Sequence, residues 1–270
     1  MGGTTYQGTS IGPIQTLCSL YQGRHLLKAL FISELKNSAR GATLHYFWWL
    51  LDPFLMMGVY TFVIDIVLQR GTPQYLLFLF CALLPWKAFS NSLNHSVAVM
   101  RNSQAIITRV AFPKVVFPAS IVLSQLVYMC SGFLILIPLM FFYGISPSFW
   151  LFFLPVIMIL QATLTLSFAM ILAMFGAWFK DAANFTSFFM QLWFFASPTL
   201  YTLDQVPEQY RFALSFNPLV GLWAAYRAVL MKGTAPDWSL LLTSVLITVT
   251  VLVFSSTVFG RLEPQLPKVL

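Results

Sequence analysis

Charged side chains are scarce in this chain: they make up 9% of its 270 residues, against roughly 25% in an ordinary soluble domain. A water-soluble fold of this size would have too little charged surface to stay dispersed, so the scarcity excludes one. Cysteine is too sparse to form a framework. Cys18 lies in the N-terminal stretch and Cys81 and Cys130 in apolar runs; this odd, scattered set excludes a disulfide scaffold and any metal-ligand spacing. The histidines His25, His45 and His95 are far apart and make no ligand pattern, which leaves them interfacial or structural roles. No G-x-x-x-x-G-K-[ST] phosphate loop occurs, nor any Gly-Lys pair from which one could be built, so the chain is not expected to hydrolyse nucleotide itself. The first 40 residues lack a continuous apolar run behind a basic start, so no cleaved leader is expected and insertion relies on the mature helices.

Apolar residues are what the chain has in abundance. They make up 59% of it, including 27 phenylalanines, a composition a bilayer tolerates because lipid tails solvate an apolar exterior. An all-α integral membrane protein with six spanning helices is expected, over His45–Leu68, Tyr75–Val99, Val115–Phe142, Phe149–Phe179, Asn184–Leu203 and Trp238–Gly260. The last four contain no charged residue. The fourth is long enough to need tilt or an interfacial first turn. The formal charge of +7 forms no patch of the kind that would bind nucleic acid; its basic residues lie in short segments between apolar stretches. With both termini in the cytoplasm, ten basic residues fall inside and four outside, and this asymmetry sets the expected orientation.

The divisions that follow are a cytoplasmic tail over 1–23, a surface helix over 24–44, a transmembrane domain over 45–260 and a cytoplasmic tail over 261–270. Before the first span, Leu26, Leu27, Leu30, Phe31 and Leu35 recur at helical spacing, with Arg24, Lys28, Ser33 and Asn37 on the other face. That pattern predicts an amphipathic helix lying flat on the inner membrane surface. The loop 100–114 mixes Arg101, Asn102 and Arg109 with Ile106, Ile107, Val110 and Phe112. Apolar residues in a solvated connector suggest a short helix that docks into a cytoplasmic partner. The segment 204–237 is polar in patches but apolar over Leu219–Met231, and Pro207, Pro218 and Gly221 break it into short re-entrant or interfacial helices on the outer side.

Few residues suggest chemistry. Only Asp52 and Asp65 are acids within a span, too few to drive an ion-coupled transporter convincingly, so the energy for transport is expected from a partner. Lys87 lies roughly 18 Å into the second span. It pairs with Asp52 or it lines a wet pathway that meets an anionic substrate group; the sequence leaves both open. Phe47, Trp48 and Trp49 fit an interfacial aromatic belt. Trp193, Phe194 and Phe195 lie mid-span and serve apolar packing or stacking on sugar rings.

These residues resemble a known family. The surface helix followed by "LHYFWWLLDPFLMMGVYTFVI", then "LLPWKAFSNSLNHSV" and "RNSQAIITRVAFPKVVFP", is similar to the membrane subunit of ABC-2 type polysaccharide exporters. The stretch from Trp178 to Leu230 carries that family's sequence of motifs, here Lys180-Asp181, Ser197-Pro198, Val206-Pro207, Asn217-Pro218 and Arg227, with Lys180 in place of the usual arginine. The resemblance implies a half-transporter of the bacterial inner membrane. Two copies would form the pathway, two separate ATPase subunits would bind ATP and Mg, and the cargo would be lipid-linked O-antigen, capsular polysaccharide or teichoic acid. It implies that Arg101–Phe112 couples to the ATPase and that Arg24, Lys28, Glu34 and Arg40 belong to an interface helix. Pro207, Asn217, Pro218 and Arg227 would belong to an outer gate. Lys87, Trp193, Phe194, Phe195 and Tyr201 would be candidates to contact cargo. The alternatives are a permease of the same type for a small lipid or drug, an ion-coupled transporter acting alone, and a membrane glycosyltransferase or ligase built on Asp204, Glu208 and Arg211.

Overall fold

The computed structural model describes residues 12–37, 45–69 and 74–270, with backbone alone for 37, 45–50, 52 and 53. Every regular element among the described residues is helical. Among the described residues, four helices are long and apolar enough to cross a membrane. These are α4 (Tyr75–Asn102), α6 (Val116–Phe142), α7 (Leu154–Trp178) and α11 (Trp238–Leu262), and every bound except the start of α7 falls within three residues of an expected one. A 3₁₀ turn, Phe149–Phe153, leads into α7 and supplies the irregular first turn its length called for.

The two remaining expected spans are interrupted. The first is α3 (His45–Thr61) running into a π-helical turn, Phe62–Val67. The fifth is α8 (Ala182–Phe195), whose 14 residues reach only about 21 Å. It stops where Pro198 removes an amide donor and bars Ser197 from helical geometry. Beyond α8, residues 196–202, expected as helix, are turns, bends and irregular backbone, and Leu203 opens a 3₁₀ turn, Leu203–Gln205.

Within the stretch expected as an N-terminal tail, residues 13–22 are helical. Pro13 opens α1 (Pro13–Gln22), and Gly23 turns the chain into α2 (Arg24–Asn37). A Cβ on Gly23 would lie 2.6 Å from a Val116 methyl, so the turn needs glycine to lie against α6. On α2, Leu26, Leu27 and Leu30 pack on a cluster containing Val116, Phe117 and Ile121, while Arg24, His25 and Lys28 are exposed. The start of α2 thus turns leucines inward and basic side chains outward, although Ala29 and Ile32 are also exposed. Arg40, at the far end of the expected helix, lies outside the described residues.

The most enclosed long helix is α4, against which α3, α6, α7 and α8 pack; α11 lies on the periphery against α7. At the α4–α7 crossing, a Cβ on Gly176 would be driven into the Val97 carbonyl, so only glycine permits the approach. Gln161 of α7 spans the apolar interior, its amide donating to the Pro85 carbonyl at 2.8 Å and its oxygen accepting from Tyr226 at 2.7 Å. Short helices complete the fold: α5 (Gln104–Ile107), α9 (Glu208–Ser215), α10 (Pro218–Arg227) with a π-helical turn to Lys232, and α12 (Leu266–Val269). Bonds from Arg101 to the Lys180 carbonyl and from the Lys114 amide to Glu263 gather α5, α12 and the start of α8 at one basic end of the bundle.

Candidate functional site

Polar residues on α4 follow a helical period. Lys87, Ser90, Asn91, Asn94 and His95 share one face of a helix that is otherwise mostly enclosed, and Asn91 and His95 are exposed on it. Opposite them, α8 presents exposed Ser187 and Gln191. Ser187 donates to Asn94 at 3.2 Å, and Asn94 donates to Ser90 at 3.4 Å. Between α3, α4 and α8 a groove of about 450 Å³ opens, lined on its polar side by Lys87, Ser90 and Asn94 and on its aromatic side by Tyr60, Phe194 and Phe195. Of this stripe the sequence reading singled out only Lys87. The signal for the rest was present, because five polar residues spaced three and four apart interrupt an otherwise apolar helix. The expected Lys87–Asp52 pair falls on a side chain outside the described residues.

The break after α8 is the second feature. Backbone that leaves a helix in apolar surroundings must find partners for its carbonyls, and here all six from residue 195 to residue 200 have one. The Phe195 carbonyl accepts from the Tyr201 hydroxyl at 3.3 Å, Ala196 from the Asn217 amide at 3.3 Å, and Ser197 from the Thr199 amide at 2.7 Å. Pro198 and Thr199 accept from the two ends of the Arg227 guanidinium at 2.7 and 2.8 Å, and Leu200 from the Tyr75 hydroxyl at 2.9 Å. Arg227 is buried, with its third nitrogen donating to the Phe78 carbonyl at 3.3 Å and its charge 3.5 Å above the Phe78 ring centroid. Asn217 also caps α10, accepting from the Leu219 amide at 3.1 Å and from the Trp193 indole at 3.2 Å. Ser197, Pro198, Asn217 and Arg227, scattered in sequence, thus form one joint. Of the residues expected at an outer gate, Asn217 and Arg227 hold the broken backbone, while the Pro218 carbonyl accepts from the Ser244 hydroxyl at 2.7 Å. Pro207 opens α9 at the exposed surface, apart from the joint.

The aromatic triplet does not act as one platform, because consecutive helical residues point about 100° apart. Phe194 faces the groove and packs on Trp86 at 5.3 Å, and Phe195 is largely exposed beside it. Trp193 points elsewhere, edge-on to Phe89 and Phe168 at 5.3 Å each. Tyr201 holds the end of α8 and does not line the groove.

The loop 100–114 divides in the same way. Ile107 and Phe112 are buried in the chain's own core, so the expectation that they turn outward to a partner is corrected: Phe112 packs edge-on to Phe117 at 5.6 Å. Asn102, Ile106, Arg109 and Val110 are exposed, and the Val110 amide closes a helical turn on the Ile106 carbonyl, so Ile106 and Val110 share a face. Nearby, Lys180 and Asp181 are exposed at the start of α8. Glu34 is half-buried on α2, Lys28 is exposed, and Arg24 stacks over the Tyr21 ring at 4.7 Å. Glu263 is buried; burial raises its pKa, while the Lys114 amide bond and the Lys114 charge pull it down.

Comparison with known proteins covers these features together. RfbA of Myxococcus xanthus, an O-antigen export system permease protein, is 32% identical over 252 residues, spanning 91% of this chain and 95% of its own. An RfbA of Klebsiella pneumoniae is 30% identical over 209 residues, 77% of this chain and 81% of its own. The polysialic acid transport protein KpsM of Escherichia coli is 24% identical over 218 residues, with the same coverage. The family match runs over residues 25–231, from the start of α2 to the π-helical turn after α10, and so contains the groove, the joint and the loop 100–114. On that match, the chain belongs to the ABC-2 type transporter family.

Proposed function

We propose that this chain is the membrane subunit through which a lipid-linked cell-surface polysaccharide of the O-antigen or capsule type leaves the cytoplasm across a bacterial inner membrane. Two copies make the pathway, and separate subunits that bind ATP and Mg supply the energy. The chain crosses the bilayer six times, with α3 and α8 as the interrupted first and fifth crossings, α2 on the inner surface and both termini in the cytoplasm. The names of the relatives support the class of cargo.

The observation that carries the reading is the polar stripe of α4 opening on an aromatic-walled groove. Asn91 and His95 are exposed on this face, and polar groups left bare in hydrocarbon are costly, so such a face is sustained by water or by polar cargo. Hydroxyl and amide groups exchange hydrogen bonds with sugar hydroxyls, and the rings of Tyr60, Phe194 and Phe195 cover apolar sugar faces without holding any one hydroxyl tightly. A groove open along its length lets a lipid anchor stay in the bilayer while the sugar passes.

The test is surface display of polymer in cells lacking the chromosomal copy of this protein. Wild type should restore it. Ser187→Trp, which fills the groove from an exposed position, should lower it about tenfold with the protein still inserted and still bound to its ATPase, a loss equivalent to about 1.4 kcal/mol. Restoration undiminished by Ser187→Trp would refute the groove as the path.

A further inference from the structure

The C-terminal residues have no role in the proposed mechanism, yet they are fastened to its coupling loop at three points. The Glu263 carboxylate accepts the Lys114 backbone amide at 2.7 Å, at the last residue of the loop, and both residues are buried. The Gln104 side-chain amide donates to the Leu270 carbonyl, so the end of the chain reaches the beginning of the loop. Between these bonds, Leu266 is completely buried in the cluster that also holds Ile107 and Phe112. Arg101 meanwhile donates to the Lys180 carbonyl at 3.3 Å, joining the next connection at the same end. A surface tail would leave these residues in water. Here a carboxylate is taken out of water to hold a backbone amide, and the Lys114 bond offsets only part of the cost of its burial.

We propose that residues 263–270 are a latch that holds the 101–114 loop rigid against the bundle, with Glu263 as its positioning residue, so that force from the ATP-binding subunit reaches the helices and is not absorbed by the loop. This rests on the reading that Ile106, Arg109 and Val110 meet that subunit. A loop anchored at both ends and at its middle behaves as the end of α4 and the start of α6; a loop anchored at its ends alone flexes. Glu263 touches no nucleotide and no cargo, and acts only through Lys114.

The experiment uses the complete transporter in liposomes, with three altered chains: Glu263→Ala, Glu263→Gln and a chain ended after Gln265. ATP hydrolysis, polymer moved per ATP and hydrogen exchange of the 104–114 amides are read in each. Glu263→Ala should exchange the Lys114 amide about tenfold faster, and the shortened chain the amides from Gln104 to Phe112; both should keep ATP hydrolysis within about twofold and move about tenfold less polymer per ATP. Glu263→Gln, whose amide oxygen still accepts the bond, should behave as wild type. Unchanged polymer per ATP in a variant whose loop amides are exposed would overturn the proposal, as would loop amides that stay protected in both altered chains. Should Glu263→Ala fail to assemble, the shortened chain, which keeps Glu263, carries the test through Gln104 and Leu266. A wild-type transporter that hydrolyses ATP but moves no polymer would instead refute the proposed function, and the exchange measurement would still decide the latch.

Discussion

Single side chains here do work usually spread over a helical ladder. Arg227 supplies three donors to three carbonyls in a fixed fork, a geometry that the point charge of lysine does not reproduce. Arg227→Lys should therefore destabilise the detergent-solubilised protein by about 2 kcal/mol, seen as a lower Tm, despite keeping the charge. Glu263 gives a dependence on pH. Its folded-state pKa is raised, chiefly by burial. A raised carboxylate favours the folded state when protonated, so its contribution is fully present below the ordinary glutamate pKa of about 4.3 and is lost as pH rises through the higher folded-state value. Glu263→Gln removes that titration. It should match or exceed the wild-type Tm at pH 7, and the gap should close on acidification; a gap that widens in acid would show the carboxylate to be stabilised by its surroundings.

Helices with an unbroken apolar run were legible in the sequence. For α4, α6, α7 and α11, length and composition fix the element, and their bounds follow within a few residues. What was not legible has local causes. The end of α8 depends on Pro198, whose effect on the chain is visible, but the partners that make the break tolerable, Tyr75, Asn217 and Arg227, lie far along the sequence. Ile107 and Phe112 were read as outward because a loop is usually wet; they point inward because α12 and the start of α6 close over them. The order of α1 was missed because Pro13–Gln22 is short and mixed, and it exposes Ile14, Leu17 and Tyr21 while burying Thr16 and Ser19. Helix contacts yield their own prediction. Gly176→Ala sets a methyl against the Val97 carbonyl, and thermal unfolding should register a loss of about 1–3 kcal/mol as α4 and α7 are forced apart.

At the scale of the whole molecule, the proposed function divides two tasks between the apolar middle and the basic end, and substitutions at the basic end should separate them experimentally. Ile106→Glu and Val110→Glu change exposed residues of the loop. They should leave the chain inserted and folded but weaken co-purification with the ATP-binding subunit by about tenfold or more, as loss of an interface anchor does. Ile107→Glu buries a carboxylate in the chain's own core and should abolish accumulation of the protein instead. Equal loss of subunit binding with either class of substitution, both proteins being folded, would mean that the loop presents a different face.

The sealed break after α8 has a mechanical consequence. A helix that stops among apolar side chains ends in a cluster of oxygens carrying partial negative charge, and here a guanidinium sits among them. Drawing α8 away from α10 would strip a cation of its ligands in a low-dielectric medium, at a cost of several kcal/mol; moving the two together carries no such penalty. Displacement of α8 is therefore handed on to α10 as travel rather than spent as bending, so the two short helices move as one lever.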